Sequence, residues 1–377
     1  MKFYKQSLLI CIIFLLQVAD NIHALSALTL IQQPGKTIKI GLLVPDKKTT
    51  AAIQGAELAV NEINRNGGID SIQIQLIVKS MEGPWGTGSK QAISLIFDEK
   101  VWALFGSHDG RNAHLVEQAG TKAQVVFLSA WSADPTLSQA FVPWFYNCLP
   151  NDFQQAETLV KEIYNIRKLT HVVTISDQEY DSNLACFNFL RKIELDGKKE
   201  PVNFTYENYS DNIIRLIDEI ENEDAECIVL FCNPTISYEI FREIKKREMP
   251  QPIFGSLNLL NENMLSEQEL NDYNGEILIP SPAWEKSKSI DFSNKYKEAY
   301  GKEPGMVAAY AFDGIHLLVE AFKKAGSPDR EKIQQALTGI NIEGITGPIR
   351  FDDKGNRLGP YYIVNVKNGI PALTAEY

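Results

Sequence analysis

The chain has 377 residues, of which 44% are hydrophobic, 23% charged and 10% aromatic. This composition is typical of globular domains, not of disordered or fibrous proteins, and the length suits about two domains. Lys and Arg total 37 against 48 Asp and Glu, a formal net charge of -11, which argues against a broad nucleic-acid-binding surface.

The first 24 residues differ in character from the rest. Lys2 and Lys5 precede an apolar stretch over residues 8–16, and polar residues then lead to Ala24. This order is typical of a secretory signal peptide, with cleavage expected after Ala24. The apolar stretch is shorter than the roughly 20 residues of a spanning helix, so an uncleaved anchor is the alternative. We expect a periplasmic or otherwise exported protein.

From residue 37, short β-branched runs alternate with longer amphipathic segments, which indicates βαβ units and a parallel sheet. Residues 37–44 predict a buried strand, and residues 50–66 predict a helix that ends at Gly67 and Gly68. The alternation then predicts strands over 72–78, 101–105 and 125–128 and helices over 89–98 and 110–122.

The same alternation resumes at Asp152 and indicates a second, similar unit. Its predicted strands are 171–176, 227–231 and 253–255. A proline-bounded strand near residues 277–282 ends this series. The tail over residues 291–377 predicts three helical segments and a short strand pair, which we expect the two units to share.

Four cysteines follow residue 24: Cys148, Cys186, Cys227 and Cys232. Cys227 and Cys232 lie five apart in one predicted strand, which would separate their Cα atoms by roughly 16 Å on opposite faces. These two therefore cannot form a disulfide with each other. We expect buried free thiols, and other pairings stay open.

Short motifs follow one another in a fixed order over residues 37–367. They are 38–45 (IKIGLLVP), 55–60 (GAELAV), 64–69 (NRNGGI), 103–107 (ALFGS), Ser129 with 134–137 (DPTL), and 347–355 (GPIRFDDKG). Their order and spacing resemble the leucine/isoleucine/valine-binding family of periplasmic binding proteins. Members of that family are the extracytoplasmic substrate-binding proteins of ABC transporters.

The resemblance implies an α/β fold, with two doubly wound Rossmann-like lobes and three hinge crossovers. It implies a ligand between the carboxyl ends of the strands, where open α/β sheets generally bind. The implied crossovers lie near residues 148–151, 279–283 and 345–349. The implied domains are a signal peptide over 1–24, a first lobe of 36–149 with 282–346, and a second lobe of 150–281 with 347–377.

In the amino-acid receptors that the chain resembles, a hydroxyl residue and backbone N–H groups at a helix start hold the ligand carboxylate. The hydroxyl position corresponds to Gly110 here, so the backbone donors remain and the hydroxyl is absent. Arg111 can supply a charge to the ligand or can be solvated surface. Asn112 belongs to the same candidate loop.

The next loop of the first lobe resembles the family's second ligand-binding loop and contains Ser129, Trp131 and Ser132. The family's usual Thr corresponds to Ala133, one residue after Ser132. Trp131 either contributes to the cleft wall, by packing or by stacking on an apolar ligand, or only packs at its edge.

In the second lobe, Tyr180 resembles the Tyr that covers the ligand, and Asn233 and Asn258 lie in the next two candidate loops. The acidic residue that binds the ligand ammonium in amino-acid receptors corresponds to Leu257. A plain α-amino acid is therefore a doubtful ligand, because a buried ammonium needs a carboxylate. An amide, a carboxylate or a neutral apolar molecule remains open.

The sequence gives weaker support to two other kinds of site, a nucleotide-binding loop and a metal site. The glycine-containing segment 86–91 lacks the Gly-Lys-Ser/Thr ending of a phosphate-binding loop, and Gln91 takes the third Gly position of a dinucleotide fingerprint. His108 and His114, near Asp109, lie six apart on roughly opposite helix faces, which disfavours a metal site. We expect no catalytic residues, no metal and no cofactor.

The sequence thus predicts a non-enzymatic, exported solute receptor of an ABC importer that binds a carboxylate, an amide or an amino-acid-like molecule. Expected partners are that small molecule and a membrane permease, without nucleic acid, and we expect a monomer. The alternative is a periplasmic sensor subunit that signals ligand occupancy to a membrane kinase or chemoreceptor. A nucleotide-using α/β enzyme is the less favoured third option.

Overall fold

A computed structural model describes residues 37–106, 109–139, 142–207 and 212–372. The signal peptide predicted over residues 1–24 lies outside these ranges, as does His108. Within these ranges, no helix is both long enough and apolar enough to cross a bilayer.

Fourteen strands form in the described ranges. In chain order they are β1 Ile38–Val44, β2 Ile74–Ser80, β3 Ala103–Gly106, β4 Val126–Ser129, β5 Phe145–Asn147, β6 Val172–Ser176, β7 Val202–Thr205, β8 Cys227–Leu230, β9 Ile253–Gly255, β10 Ile277–Ser281, β11 Asn341–Gly344, β12 Gly347–Arg350, β13 Tyr362–Lys367 and β14 Ile370–Ala372.

Helices alternate with these strands along most of the chain. They are α1 Ala51–Arg65, α2 Thr87–Phe97, α3 Gly110–Ala123, α4 Asp152–Val160, α5 Tyr180–Leu195, α6 Asn212–Glu221, α7 Pro234–Lys246, α8 Glu267–Asp272, α9 Lys286–Tyr300, α10 Met306–Ala325 and α11 Arg330–Thr338. The end of α4 continues as a π-helical segment, Lys161–Ile166.

The strands form two main sheets. The first has the order β2-β1-β3-β4-β5 and is parallel throughout. The second has the order β14-β13-β10-β9-β8-β6-β7 and is parallel except at β13 and β14. This is the predicted α/β class, because parallel strands need helical crossovers and place their carboxyl ends on one edge of the sheet.

Most predicted elements form within a few residues of their expected bounds. The strand expected over 72–78 begins at Ile74, because Ile69 and Ile72 pair across a turn whose Asp70 and Ser71 have positive φ. The tail contains two strand pairs where one was expected. One is the β11–β12 hairpin; the other adds β13 and β14 to the seven-stranded sheet.

Helix α10 returns to the five-stranded sheet and is buried along most of its length. Gly55 of α1 allows a close approach, since a Cβ there would lie 2.1 Å from the carbonyl oxygen of Ala308. Gly314 leaves room for the ring of Phe105 from β3 in the same way. The chain after β10 therefore covers the sheet that the first part of the chain builds.

The segments that connect the two sheets lie side by side and are joined by Arg357, which is fully buried. Its guanidinium donates to the carbonyl oxygens of Cys148 at 2.9 Å, Thr346 at 2.8 Å and Pro348 at 2.9 Å. Gly347 approaches the third segment: its φ is +91°, and a Cβ would lie 2.3 Å from the carbonyl oxygen of Ala283.

In the described part of the chain, four cysteines are buried and form no disulfide: Cys148, Cys186, Cys227 and Cys232. Burial raises the pKa of Cys186 to about 11. A thiol with a raised pKa is a poor nucleophile at neutral pH.

Candidate functional site

A small pocket lies where loops from the carboxyl ends of both sheets meet. Its lining residues come from both sides: Trp131, Ala133, Leu149, Asp152, Gln155, Asp181, Ser182, Ala185, Phe231, Ser256 and Asn258. The volume is about 20 Å³, which is room for about one water. A larger molecule can enter only if the part of the chain around the five-stranded sheet moves away from the part around the seven-stranded sheet.

Two hydrogen bonds cross from the five-stranded to the seven-stranded side beside this pocket. The backbone N–H of Gly110 donates to Asp181 at 3.0 Å from Oδ1 and 3.3 Å from Oδ2. The Tyr180 hydroxyl donates to Oδ2 of Asp134 at 2.9 Å. We call these four residues the latch, because their bonds hold the two sides together.

Asp134 is the most highly coordinated member of the latch. Its carboxylate also accepts from the backbone N–H of Thr136 at 2.8 Å, from the Thr136 hydroxyl at 2.6 Å and from His114 Nε2 at 3.0 Å. Burial alone would raise the pKa of Asp134, but hydrogen bonds from His114, Thr136 and Tyr180 outweigh it, and the pKa is lowered. The Asp134 carboxylate is thus ionised, and its hydrogen-bond donors come from the protein itself.

The Asp181 carboxylate occupies the first turn of helix α3, where backbone donors point out of the helix. Burial raises the pKa of Asp181 to about 7, with Asp109 and Asp134 adding repulsion, against lowering by the Gly110 N–H and Arg111. The side chain can therefore change its charge near neutral pH.

Asp152 is the first residue of helix α4 and is 5% exposed. Its backbone N–H donates to the carbonyl oxygen of Ala133 at 2.7 Å, but its carboxylate has no hydrogen-bond partner among the described residues. Burial raises the pKa of Asp152 well above its ordinary range, and repulsion from Asp181 and Asp134 adds to the effect.

Several residues expected from the sequence lie in or beside the pocket. Trp131 and Asn258 line it, while Gly110 and Tyr180 belong to the latch. Arg111 is exposed and stacks over Tyr180, with its guanidinium carbon 5.5 Å from the ring centroid.

Asn112 and Ser129 make hydrogen bonds within their own loops, whereas Asn233 also bonds to Asp177 and Glu179 of a neighbouring loop. Asn112 bonds to Asp109, which caps helix α3. The hydroxyl of Ser129 accepts from the Ser132 N–H at 3.2 Å, and Ser132 is itself 1% exposed. Asn233 caps helix α7.

Sequence reasoning missed the two carboxylates that line the pocket, Asp152 and Asp181. The available signal was position, since Asp152 is the first residue of helix α4 and Asp181 lies in the first turn of helix α5, directly after Tyr180. Leu257, by contrast, is fully buried in the hydrophobic core, and its N–H donates to Gln155 Oε1 at 2.9 Å.

A larger groove of about 520 Å³ lies along Glu262, Tyr296 and Lys302. Glu262 is already occupied there, because its carboxylate accepts from the N–H groups of Val307 at 2.9 Å and Ala308 at 2.8 Å. The lining of this groove includes none of the four latch residues, so the pocket at the latch is the better candidate site.

The sequence profile of the periplasmic binding protein family matches residues 37–370. The chain belongs to this family. The family and its solved relatives contain solute-binding proteins of ABC transporters. Within the described ranges, no three His, Cys, Asp or Glu side chains are arranged to hold a metal ion.

Two solved structures show the same fold. LivJ of Streptococcus pneumoniae, in complex with isoleucine, is 23% identical with a TM-score of 0.76, over 89% of this chain and 97% of that one. A solute-binding protein of Rhodopseudomonas palustris, in complex with 3,4-dihydroxybenzoic acid, is 19% identical with a TM-score of 0.74, over 88% and 93%.

A relative of different size is glutamate receptor 3.4 of Arabidopsis thaliana, which is 21% identical over 366 residues. The match covers 87% of this chain but 38% of the receptor. The chain thus spans less than half the length of that relative.

Proposed function

We propose that this protein is a non-enzymatic, exported receptor that closes on a small molecule between its two sheets and presents it to the permease of an ABC importer. The supporting observation is the latch, in which Gly110 and Asp134 on one side bond to Asp181 and Tyr180 on the other. Contacts of this kind stabilise a closed form around the pocket.

The connecting segments suit such a movement. Arg357 ties two of them together, and Gly347 contacts the third. Opening is then a rotation about these joined segments, with the proposed lobes 36–149 plus 282–346 and 150–281 plus 347–377 moving as bodies.

The test is ligand binding by the protein and two variants. Native mass spectrometry of protein purified without unfolding identifies a retained small molecule, and calorimetric titration then gives its affinity. Tyr180→Phe removes the bond to Asp134 and should weaken binding about fivefold, since a net hydrogen bond contributes about 1 kcal/mol.

Tyr362→Phe is the matched control, because Tyr362 lies on β13 and is 39% exposed. It should bind as the unaltered protein does. Equal affinity of the Tyr180→Phe variant would refute the closing role of the latch, and absence of any small-molecule ligand would refute the receptor function.

A sensory role is the second candidate, and the partial match to a plant glutamate receptor favours it. In that case the same closure would signal occupancy to a membrane protein. Uptake of the identified ligand by cells with and without the gene separates the two, because only an importer component changes the uptake rate.

A further inference from the structure

The first observation is that the protein's own carboxylate occupies the donor at the start of helix α3. Asp181 accepts the Gly110 N–H, and Asp109 accepts the N–H of Asn112 in the same turn. Two N–H donors of the first helical turn, which have no acceptor within the helix, are thus already satisfied by side chains. A ligand carboxylate would have to displace Asp181 and would meet its negative charge.

Gly110 makes this arrangement possible. A Cβ at that position would lie 2.9 Å from Oδ1 of Asp181 and 3.0 Å from Cβ and Oδ2 of Asp134. Any larger side chain at position 110 would therefore collide with both carboxylates. The absence of a side chain at Gly110 therefore allows the Asp181 carboxylate to approach the start of helix α3.

The second, independent observation is Asp152. Its carboxylate is nine-tenths buried, lines the pocket and lacks a hydrogen-bond partner in the described part of the chain. Burying an unpaired carboxylate costs several kcal/mol in general, and such groups are normally paired. A cationic partner that enters the pocket would stabilise the ionised form of this carboxyl.

The rest of the pocket suits a cation. Its described lining contains no Lys, Arg or His, so no protein cation competes for Asp152 and Asp181. Trp131 and Phe231 supply aromatic surface, which attracts cations through the ring face. Because no chelating cluster is found among the described residues, the arrangement favours an organic cation over a metal ion.

We propose that the pocket binds its ligand through an ammonium or similar organic cationic group held by Asp152 and Asp181, and that the ligand brings no carboxylate to Gly110. This inference rests on the proposed receptor function and narrows it to one ligand class. Ser182, Ser256 and Asn258 supply the polar atoms for the rest of the ligand.

The experiment compares amines and carboxylates with matched carbon skeletons. Calorimetric titration uses isoamylamine against isocaproate, phenethylamine against hydrocinnamate, and putrescine against adipate. We expect at least one amine to bind at least tenfold more tightly than its matched carboxylate, a difference of about 1.4 kcal/mol.

Variants assign the binding to the two carboxylates. Asp152→Asn and Asp181→Asn should each weaken amine binding at least tenfold. Asp353→Asn removes an exposed carboxylate elsewhere and should leave binding unchanged. Thermal unfolding is measured in parallel, and Asp152→Asn should melt no lower than the unaltered protein, because the carboxyl it replaces makes no hydrogen bond with the described residues.

The outcomes separate this proposal from the receptor function. Tighter binding of a carboxylate would overturn the cationic ligand and leave the receptor intact. The proposal is also overturned if no amine binds, or if amines bind Asp152→Asn and Asp181→Asn as well as they bind the unaltered protein. Retention of no small molecule in native mass spectrometry would instead overturn the receptor itself.

Discussion

Asp134 and Asp152 are both nearly inaccessible to solvent, with 3% and 5% exposure, yet their surroundings are opposite. Asp134, in the latch, accepts hydrogen bonds from Tyr180, His114 and Thr136. Asp152, in the pocket, accepts none from the described residues. A buried carboxylate that maintains structure has its donors in the chain, whereas one left without donors indicates a partner from outside.

The largest effect should come from Asp134→Ala. The substitution leaves the partly buried donors of Thr136, Tyr180 and His114 without an acceptor, and loss of the buried charged member of such a network costs about 3 kcal/mol. Urea unfolding should show this loss, with Asp353→Ala as the exposed control. A change below about 0.5 kcal/mol would mean that the latch does not depend on Asp134.

Gly110→Ala should have the next largest effect, about 2 kcal/mol against the closed form, because the new methyl group overlaps Asp181 and Asp134. Small-angle scattering should show a larger radius of gyration. Unchanged dimensions in the Gly110→Ala variant would contradict this expectation.

A smaller effect should follow from pH. The folded-state pKa of Asp181 lies above its unfolded value, at about 7, so its ionisation penalises folding as pH rises through that value. The raised pKa of His114, due first to its hydrogen bond with Asp134, acts in the same direction, since its stabilisation is lost as pH rises.

The ligand-free protein should therefore melt higher at about pH 5.5 than at about pH 8, as measured by differential scanning calorimetry. Asp181→Asn should flatten this dependence, while Asp353→Asn should preserve it. An unchanged slope in Asp181→Asn would show that Asp181 does not titrate in this range.

The smallest effect should come from Arg111→Ala. Arg111 is exposed and contacts the ring of Tyr180 from outside the pocket, and exposed cation–π contacts contribute little. Binding of a cationic ligand should change by less than about twofold, measured by titration. A loss of tenfold or more would place Arg111 in the ligand site.

Much of the secondary structure can be predicted from local patterns in the amino-acid sequence. The helix over Gly110–Ala123 and the strand Ile253–Gly255 form within a residue of their predicted bounds, because apolar periodicity and terminal residues determine both. The family resemblance, based on ordered motifs, is confirmed by the profile match over residues 37–370.

The pocket carboxylates could not be predicted in this way. Gly110 and Asp181 are 71 residues apart in sequence and lie in two helices that follow strands of different sheets, so no local pattern connects them. Acidic residues in the first turn of a helix, such as Asp152 and Asp181, are also common for purely electrostatic reasons. The burial of these two carboxylates depends on the tertiary structure, which brings the ends of the strands together.

Arg357 has a consequence for how the protein unfolds. Its guanidinium donates to carbonyl oxygens from two distant parts of the chain, at Cys148 and at Thr346, and the Thr346 hydroxyl donates in turn to the buried Asp313 at 2.7 Å. If either sheet melted alone, Arg357 would lose carbonyl acceptors that the segments connecting the two sheets supply. The two halves should therefore lose their structure in one cooperative transition, even though each contains a sheet of its own.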